Sequence, residues 1–355
     1  MAPLSRLDVF WLVVTCVLVC RLLSLRCALQ VQLKTSVAQQ DGARQAGAQG
    51  ARLLSYLDQH VVSGISTVEL DALAHRYTTE ELGATSAPLH YGGLIGGALY
   101  DLGIPPPALL TAACGWLHGG SHAIGLQGLA ICGFPASTCI SVNEVVCHGV
   151  PGHRRLRPGD IVNIDVTVIT PEGGWHGDTS RMWMIGGPEA VGVAAATLVA
   201  DTHEAMWRGI RQVRPGNRVG DIGAAIQGFA EQAGHGVVTQ FFGHGIGQHF
   251  HESPMVAHFG EAGTGALLEV GMVITVEPML NAGGGAAVRV LDDQWTVVTQ
   301  DGALSAQWEH MVLVTEDGHE VLTLRADEDQ GLRYGGGGGG GGESGGGESG
   351  GGGRQ

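Results

Sequence analysis

The stretch DIVNIDVTVITPEGGWHGD, residues 160–178, decides the fold that the sequence predicts. Apolar Ile164, Val166 and Val168 alternate with polar residues, which is the period of a half-buried strand. The polar face of that strand carries the carboxylate of Asp165. A turn-forming Thr-Pro-Glu-Gly-Gly follows, and the chain then continues as a plausible return strand, so the stretch predicts a β-hairpin.

The two acidic residues of this hairpin predict a metal site. If the hairpin turns at Pro171 and Glu172, Asp165 and Asp178 lie directly opposite each other. Opposed residues share a face and lie roughly 4.5–5.5 Å apart at Cβ. Two carboxylates at that distance are unfavourable unless a cation lies between them. The alternative is one surface aspartate and one turn aspartate without a metal.

The composition argues against several classes of function. The 355 residues have a formal net charge of −15 at pH 7, and dispersed acidic residues of this kind argue against a nucleic-acid surface. Lys34 is the only lysine, which argues against Schiff-base chemistry and a phosphate-binding P-loop. The 7 cysteines form neither a Cys-x-x-Cys pair nor a disulfide framework, which predicts a reducing compartment.

The chain divides into a folded domain and three atypical segments. Residues 1–30 contain an apolar run flanked by arginines, which is too short for a confident membrane span and resembles a presequence or a gene-start artefact. Residues 31–326 are predicted to form the domain. Residues 94–133, rich in glycine and almost uncharged, are an atypical insertion in it. Residues 335–355 are a Gly/Ser/Glu tail that cannot bury enough surface to fold.

An internal repeat is visible in the domain. A helix is predicted over residues 37–62, and after it residues 61–77 contain Val-x-x-Gly, Glu-Leu-x-Ala and Tyr in that order. Residues 213–229 contain Val-x-x-Gly, Asp-Ile-x-Ala and Phe at the same spacing. The constant offset predicts two structurally equivalent halves, with chance similarity of apolar residues as the alternative.

Three more residues add to the metal prediction. His244, in FFGHGIGQHFHE, lies between two glycines, which permit close backbone approach and suit a fixed ligand, although histidines are also common on polar surfaces. Glu277 ends an apolar run before a proline, and Glu309 lies on a further apolar strand. With the two aspartates of the hairpin they make four carboxylates and one imidazole, all on or beside predicted strands.

This set of residue types favours a two-metal site. Hard oxygen ligands with a single nitrogen favour Mn, Fe(II) or Co over a structural zinc, which prefers Cys and His. Four carboxylates exceed what one divalent ion needs for charge balance. Two ions about 3.5–4 Å apart, sharing bridging carboxylates as in many hydrolases, account for the excess. We therefore expect two divalent metal ions, with Co, Mn, Fe(II) and Zn all open.

The ordered motifs SVNEVVCHGVP, DIVNIDVTVI, HGDTSRM, GHGIGQHFHE, TVEPM and SAQWEHMV resemble those of type I methionine aminopeptidases. The resemblance covers roughly residues 31–324 apart from the 94–133 block. It implies an α+β pita-bread (creatinase/aminopeptidase) fold, in which a pseudo-twofold repeat forms a central curved antiparallel sheet covered by helices. It also implies dinuclear metal-dependent hydrolysis that removes the N-terminal methionine from nascent proteins when the second residue is small.

Motif matching assigns a role to each candidate residue. The implied metal ligands are Asp165, Asp178, His244, Glu277 and Glu309, with Asp178 and Glu309 bridging. The implied catalytic residues are Glu277 as a proton shuttle, His251 at the scissile carbonyl and His148 at the cleaved amide. The implied substrate-binding residues are those two histidines and the walls of an apolar methionine pocket, namely Tyr91, Phe134, Cys139, Phe250 and Trp295.

The 94–133 block separates two of these pocket walls. In the family, the residues that match Tyr91-Gly92-Gly93 run directly into those that match Phe134-Pro135. We therefore interpret the block as a translated intron from a mispredicted gene model or as a loop over the pocket mouth.

Alternative functions and the cellular setting follow from the same resemblance. Xaa-Pro aminopeptidases and prolidases share the metal ligands but usually carry a large extra N-terminal domain, and a non-catalytic pita-bread binding module would have lost ligands. The implied partners are N-terminal peptides of nascent proteins, with transient ribosome contact, no nucleic-acid binding and a monomeric state. The implied location is the cytoplasm or an organelle (plastid or mitochondrion), while the N-terminal apolar run leaves membrane association open.

Overall fold

The computed structural model describes residues 31–92 and 133–328. The predicted presequence over residues 1–30 and the tail over residues 335–355 lie outside the described residues, as does the 94–133 block except for Gly133. None of the helices within the described ranges is long and apolar enough to cross a membrane.

Helices and short antiparallel strands alternate through the described ranges. The helices are α1 (Val37–Leu57), α2 (Thr67–Arg76), α3 (Pro188–Val191), α4 (Val193–Ile210) and α5 (Val219–Gln232), with a π-helical turn at Tyr77–Glu81 and a 3-10 turn at Ala282–Gly284. The strands are β1 (Thr85–Ser86), β2 (Cys139–Val142), β3 (Val145–Cys147), β4 (Ile161–Ile169), β5 (His176–Met184), β6 (Gly236–Val237), β7 (Gly243–Gly245), β8 (Glu252–Val256), β9 (Val273–Val276), β10 (Met279–Asn281), β11 (Val288–Val290), β12 (Val297–Thr299), β13 (Ser305–Gln307), β14 (His310–Thr315) and β15 (Gly318–Val321).

Helix α1 begins where the sequence predicts and ends earlier. Ser36 and Gln39 form a capping box at its N-terminus, which satisfies two otherwise unpaired groups of the first turn. Leu53, Leu54 and Leu57 repeat at helical spacing and are buried. The helix ends at Leu57, five residues before the predicted end, because a hydrogen-bonded turn over residues 58–60 follows.

The hairpin of β4 and β5 forms, but its register differs from the predicted one. Thr167 pairs with Asp178 and Ser180 pairs with Asp165, so the two acids are diagonal neighbours on one face and not opposed. The prediction that they lie opposite each other is therefore wrong. The turn runs over residues 171–174 because Gly173 and Gly174 adopt positive φ of 80° and 65°, conformations that favour glycine.

Strand β4 is also more buried than the half-buried strand that the alternation predicts. Its apolar side chains, such as Ile164 and Val166, are fully buried, but polar Asn163 and Thr167 on the other face are only 3% and 2% exposed. The polar face is covered because the second half of the domain lies against it, as the hydrogen bond from Asn163 to the carbonyl of Gln307 shows. A polar face hidden inside a domain is where a functional site can lie.

The repeat is present in the backbone. Gly64 and Gly216, which occupy equivalent positions, both have positive φ, of 95° and 87°. Their amides donate to the carbonyls of Leu156 and Leu268 respectively. Helices α2 and α5 follow at equivalent positions, each with an acidic side chain that accepts from the residue before the helix.

The two halves meet at the polar face of β4 and β5. In the first half β4 pairs with β1, β2 and β5, and in the second half the order is β15-β14-β9-β7-β8. A bridge between Ser180 and Glu309 connects the two sheets. Two smaller sheets, β13-β10-β6 and β11-β12-β3, complete the described strands, and all pairings between these named strands are antiparallel.

Each half has its own buried core. Leu54 and Ile164 belong to a cluster between α1, α2 and the first sheet. Leu198, Ile222 and Ile274 belong to a cluster between α4, α5 and the second sheet. The helices cover the outer faces of the sheets, so the polar inner faces are left to form a cavity between the halves.

Candidate metal centre and substrate pocket

One cavity of about 310 Å³ lies on this inner face. Every residue that the sequence suggested as a metal ligand, catalytic group or substrate contact lines it. These residues are Tyr91, Phe134, Cys139, His148, Asp165, Asp178, His244, Phe250, His251, Glu277, Trp295 and Glu309.

Three of the five candidate ligands form a compact group. Ligand atoms of Asp178, His244 and Glu309, all buried, lie within 4.8 Å of one another. Nε2 of His244 is 3.5 Å from Oδ2 of Asp178 and 3.7 Å from Oε1 of Glu277. Asp165 lines the same cavity, two pairing positions along the hairpin from Asp178. The structure thus brings together ligands from β4, β5, β7 and the ends of β9 and β14.

Neighbouring groups orient these side chains. The hydroxyl of Thr167 donates to Oδ1 of Asp178 at 2.7 Å, and the hydroxyl of Thr275 donates to Oε1 of Glu277 at 2.7 Å. Nδ1 of His244 lies 2.9 Å from the carbonyl oxygen of Gly245. A carbonyl only accepts, so Nδ1 carries a proton, and Nε2 is the nitrogen that faces the acids and could bind a metal ion.

A close approach between α1 and β5 sets the position of Asp178. A Cβ on Gly177 would lie 2.0 Å from the carbonyl oxygen of Ala46 in α1. Only glycine therefore lets the helix backbone lie against the strand at this point. In the HGD motif, packing explains the glycine and the metal site explains the aspartate.

Asp165, Glu277 and Glu309 have raised pKa values. Burial, and then the charge of Asp178, raises the pKa of Asp165 and Glu309 well above the ordinary value. Burial raises the pKa of Glu277 to about 7, in spite of the opposing effect of nearby His244. Four acids that repel one another in a buried cavity fit divalent cations, because a cation reverses this repulsion. The oxygen-rich donor set with one imidazole also fits such ions.

Two further histidines face the cavity and are neutral. Burial lowers the pKa of His148 to about 4. Burial, and then the neighbouring imidazoles, lower the pKa of His251 well below its ordinary value. The hydroxyl of Tyr91 lies 2.8 Å from Nδ1 of His251. The ring of His251 lies 4.2 Å from that of His244, so it is beside the metal ligands.

An apolar pocket adjoins the acids. Phe134 and Trp295 pack edge to face with ring centroids 5.4 Å apart, and Tyr91 and Phe250 do so at 5.2 Å. Cys139 is a buried free thiol behind them. Aromatic walls with one small polarisable residue suit an unbranched apolar side chain.

The cavity also contains residues that the sequence did not identify as site residues. Thr167, Met279 and Gln307 lie two positions from Asp165, Glu277 and Glu309 respectively. The period of two along a strand could have identified them, because residues at i and i+2 share a face. Phe241 and Phe242, which also line the cavity, follow no such pattern.

Comparison with known proteins agrees with this geometry. The model of metallopeptidase family M24 matches residues 41–316. The chain belongs to metallopeptidase family M24. It is similar to methionine aminopeptidase A of Synechocystis sp., with 45% identity over 282 residues, 79% of this chain and 93% of the relative. It is also similar to the methionine aminopeptidase of Escherichia coli K12, with 41% identity over 286 residues, 80% of this chain and 91% of the relative.

Solved structures of M24 proteins share the fold. The crystal structure of methionine aminopeptidase from Rickettsia prowazekii matches with a TM-score of 0.69 and 38% identity, covering 83% of this chain and 100% of that one. A prolidase from Pyrococcus horikoshii matches with a TM-score of 0.55 and 17% identity, covering 82% and 63%, a likeness of fold alone. The predicted pita-bread fold and the predicted metallopeptidase class are confirmed.

Proposed function

We propose that this M24 enzyme is a methionine aminopeptidase, which removes the N-terminal methionine from nascent proteins when the second residue is small. One observation carries the proposal: a single cavity joins a buried cluster of acids and one imidazole to an aromatic pocket. The similarity to methionine aminopeptidases over about four fifths of the chain supports the same activity.

The five predicted ligands, Asp165, Asp178, His244, Glu277 and Glu309, would hold two divalent ions. Asp178, His244 and Glu309 would form the core of this ligand set, because their ligand atoms lie within 4.8 Å of one another. Bound ions would supply positive charge that polarises the scissile carbonyl and acidifies the attacking water. The donor set suits Co, Mn, Fe(II) or Zn.

Three side chains would manage protons and hydrogen bonds. Glu277 would move a proton through its carboxylate oxygens, because it lines the cavity and the hydroxyl of Thr275 orients its Oε1. The hydroxyl of Tyr91 lies 2.8 Å from Nδ1 of His251, and with Tyr91 as the donor Nε2 of His251 would carry the proton and donate to the carbonyl oxygen as it gains charge. His148, neutral at pH 7, would contact the amide that is cleaved.

The aromatic pocket would select methionine. An unbranched thioether reaches between Phe134, Trp295 and Phe250 and makes favourable sulfur–aromatic contacts. Proposed partners are therefore the N-terminal peptides of nascent proteins, met by a monomer in transient contact with the ribosome. A cytoplasmic or organellar location fits this role.

A peptide assay tests the proposal. The full chain, freed of metal by a chelator and reloaded with Mn(II) or Co(II), should release methionine from Met-Ala-Ser and much less from Met-Leu-Ser. Reloaded protein that releases no methionine with either ion would contradict the proposal. Cleavage of Xaa-Pro dipeptides in place of Met-Ala-Ser would instead establish a prolidase-like activity.

A further inference from the structure

The only lysine of the chain is buried beside the site. Lys34 is the one lysine among 19 lysine and arginine residues, and it is 3% exposed. Its Nζ lies 2.5 Å from Oε2 of Glu252 and donates to the carbonyl of Gln32 at 3.0 Å. Glu252 is also buried, with 6% of its surface exposed. The rest of these 19 residues are arginines, so a buried ammonium is an exception in this chain.

The ammonium of Lys34 lies close against the backbone of Gly247. A Cβ on Gly247 would lie 2.6 Å from Oε1 of Glu252 and 2.7 Å from Nζ of Lys34. On the backbone side, the amide of Lys34 donates to the carbonyl of Gly271 at 2.7 Å, and a Cβ on Gly271 would lie 2.9 Å from the carbonyl oxygen of Lys34. Both members of the ion pair therefore lie against Gly247, and a side chain at that position would displace them.

Glu252 connects this lysine to the loop over residues 247–252. Its Oε1 accepts from the backbone amide of His249 at 3.2 Å, while its Oε2 binds Lys34. The carboxylate thereby joins the middle of the loop to the loop's last residue. Lys34 binds this carboxylate from outside the loop, because Lys34 lies in the segment that leads into α1.

The residues inside this loop face the substrate cavity. Phe250 stacks on His176 with ring centroids 5.8 Å apart and packs edge to face on Tyr91. His251 lies beside the metal ligand His244. A shift of the loop would move a pocket wall and a hydrogen-bond donor together.

We propose that Lys34 is a positioning residue, which acts through Glu252 to fix the 247–252 loop and with it Phe250 and His251. The inference rests on the proposed aminopeptidase function. A buried ion pair stabilises a fold little compared with an apolar pair of the same shape, so general stability does not explain the pair well. Misplacement of reacting groups by about 1 Å costs up to roughly 10²-fold in rate, which gives a positioning pair its value.

The test compares two double variants in the full, metal-loaded chain. Lys34→Met with Glu252→Gln removes both charges and so leaves no unpaired buried ion. The control, Arg44→Met with Glu320→Gln, removes an ion pair of 2.8 Å that also fastens α1 but lies at the surface. Measurements are KM and kcat on Met-Ala-Ser, Mn(II) affinity by calorimetry, and amide hydrogen exchange of peptides that cover residues 247–252.

A positioning role predicts a specific pattern. The Lys34/Glu252 double variant should raise KM and lower kcat/KM by about tenfold or more, with unchanged Mn(II) affinity and faster exchange over residues 247–252. The control should change none of these.

Two outcomes would overturn the inference. One is wild-type KM with a lowered active fraction, which a merely structural role produces. The other is unchanged exchange over residues 247–252. The exchange measurement does not depend on activity, so a wild-type chain that releases no methionine would defeat the proposed function and leave this test standing.

Discussion

Among single residues, Asp178 has the most direct part in holding metal. One of its oxygens accepts from Thr167 and the other faces His244, and it belongs to the compact group of ligand atoms. Asp178→Asn removes one negative charge from the centre of that group without changing its shape. We expect Mn(II) affinity to fall by more than the roughly 10–100-fold typical of losing an outer-sphere partner, with kcat/KM falling in step.

Calorimetry with Mn(II) and the Met-Ala-Ser assay check this expectation on the same samples. Asp41→Asn is the control, because the carboxylate of Asp41 is 61% exposed and lies in α1, outside the group of ligands. An Asp178→Asn variant that binds two ions and keeps its rate would refute the bridging role.

Tyr91 contributes to the site in two ways, through its aromatic ring and through its hydroxyl. Its ring packs on Phe250, whereas its hydroxyl reaches Nδ1 of His251 at 2.8 Å. Tyr91→Phe keeps the ring and removes only the hydroxyl. We expect kcat to fall by about tenfold with KM nearly unchanged, less than the roughly 10²–10³-fold that loss of an oxyanion donor itself costs.

Steady-state kinetics on Met-Ala-Ser measure kcat and KM separately. Tyr56→Phe is a matched control, because Tyr56 stacks on Tyr77 in the α1–α2 layer. Equal kcat values for Tyr91→Phe and the wild type would show that the hydroxyl does not orient His251.

Between elements, Glu328 connects α4 to β14. Its carboxylate lies 3.1 Å from Nε2 of His203 in α4 and 3.0 Å from Nε2 of His310 in β14, and Arg325 pairs with it as well. His310 directly follows the predicted ligand Glu309. Glu328 lies just past residue 326, the predicted end of the domain.

This buried carboxylate predicts a pH dependence of stability. Burial alone would raise the pKa of Glu328, but His310, His203 and Arg325 outweigh burial and lower it below the ordinary value. A lowered folded-state pKa gives stability that is present above the unfolded pKa, roughly 4.3, and is lost as the pH falls below it. Glu328→Gln should therefore cost about 3 kcal/mol at pH 7, and progressively less as the pH drops below about 4.

Urea unfolding of both proteins between pH 3 and pH 7 measures that difference. Glu320→Gln serves as the control, since its side chain is 40% exposed. A stability difference between Glu328→Gln and the wild type that stays constant over the whole range would contradict the lowered pKa.

At the scale of the whole molecule, the two halves of the repeat locate an insertion of forty residues. Gly64 and Gly216 are 152 positions apart, yet the carbonyls they bond, those of Leu156 and Leu268, are only 112 apart. The first half is thus longer by forty residues between these points. The 94–133 block has that length and lies in that interval.

The flanks of the block already meet in space. The amide of Phe134 donates to the carbonyl of Tyr91 at 2.9 Å, and the amide of His90 donates to the carbonyl of Phe134 at 2.8 Å. If Gly93 were joined directly to Phe134, the first of these bonds would close a four-residue β-turn with two central glycines. The fold does not need the block to bring Tyr91 and Phe134 together.

We therefore expect a chain without residues 94–133 to fold and to keep its activity. Its midpoint of thermal unfolding should be equal to or above that of the full chain, since a shorter connection costs less closure entropy. Circular dichroism and methionine release from Met-Ala-Ser check this. Aggregation or unfolding of the shortened chain would show that the block contributes to the fold, and an uninterrupted transcript would exclude the translated-intron interpretation.

The sequence by itself determined the kinds of residue at the site and the elements that carry them. Alternation with period two placed Asp165 on the polar face of a strand, and the repeat of residues 61–77 at 213–229 indicated the two halves. Such patterns are readable because the periods of strands and helices are set by local backbone geometry, and one face of each element must be buried.

Only the tertiary structure decided the contacts between distant segments. The register of Asp165 and Asp178 depended on two glycines at positive φ, and the burial of the polar face of β4 depended on the other half of the domain. Lys34 and Glu252 are 218 positions apart, and a lone lysine carries no local pattern. Pairings of this kind follow from how whole layers pack, which local spacing does not encode.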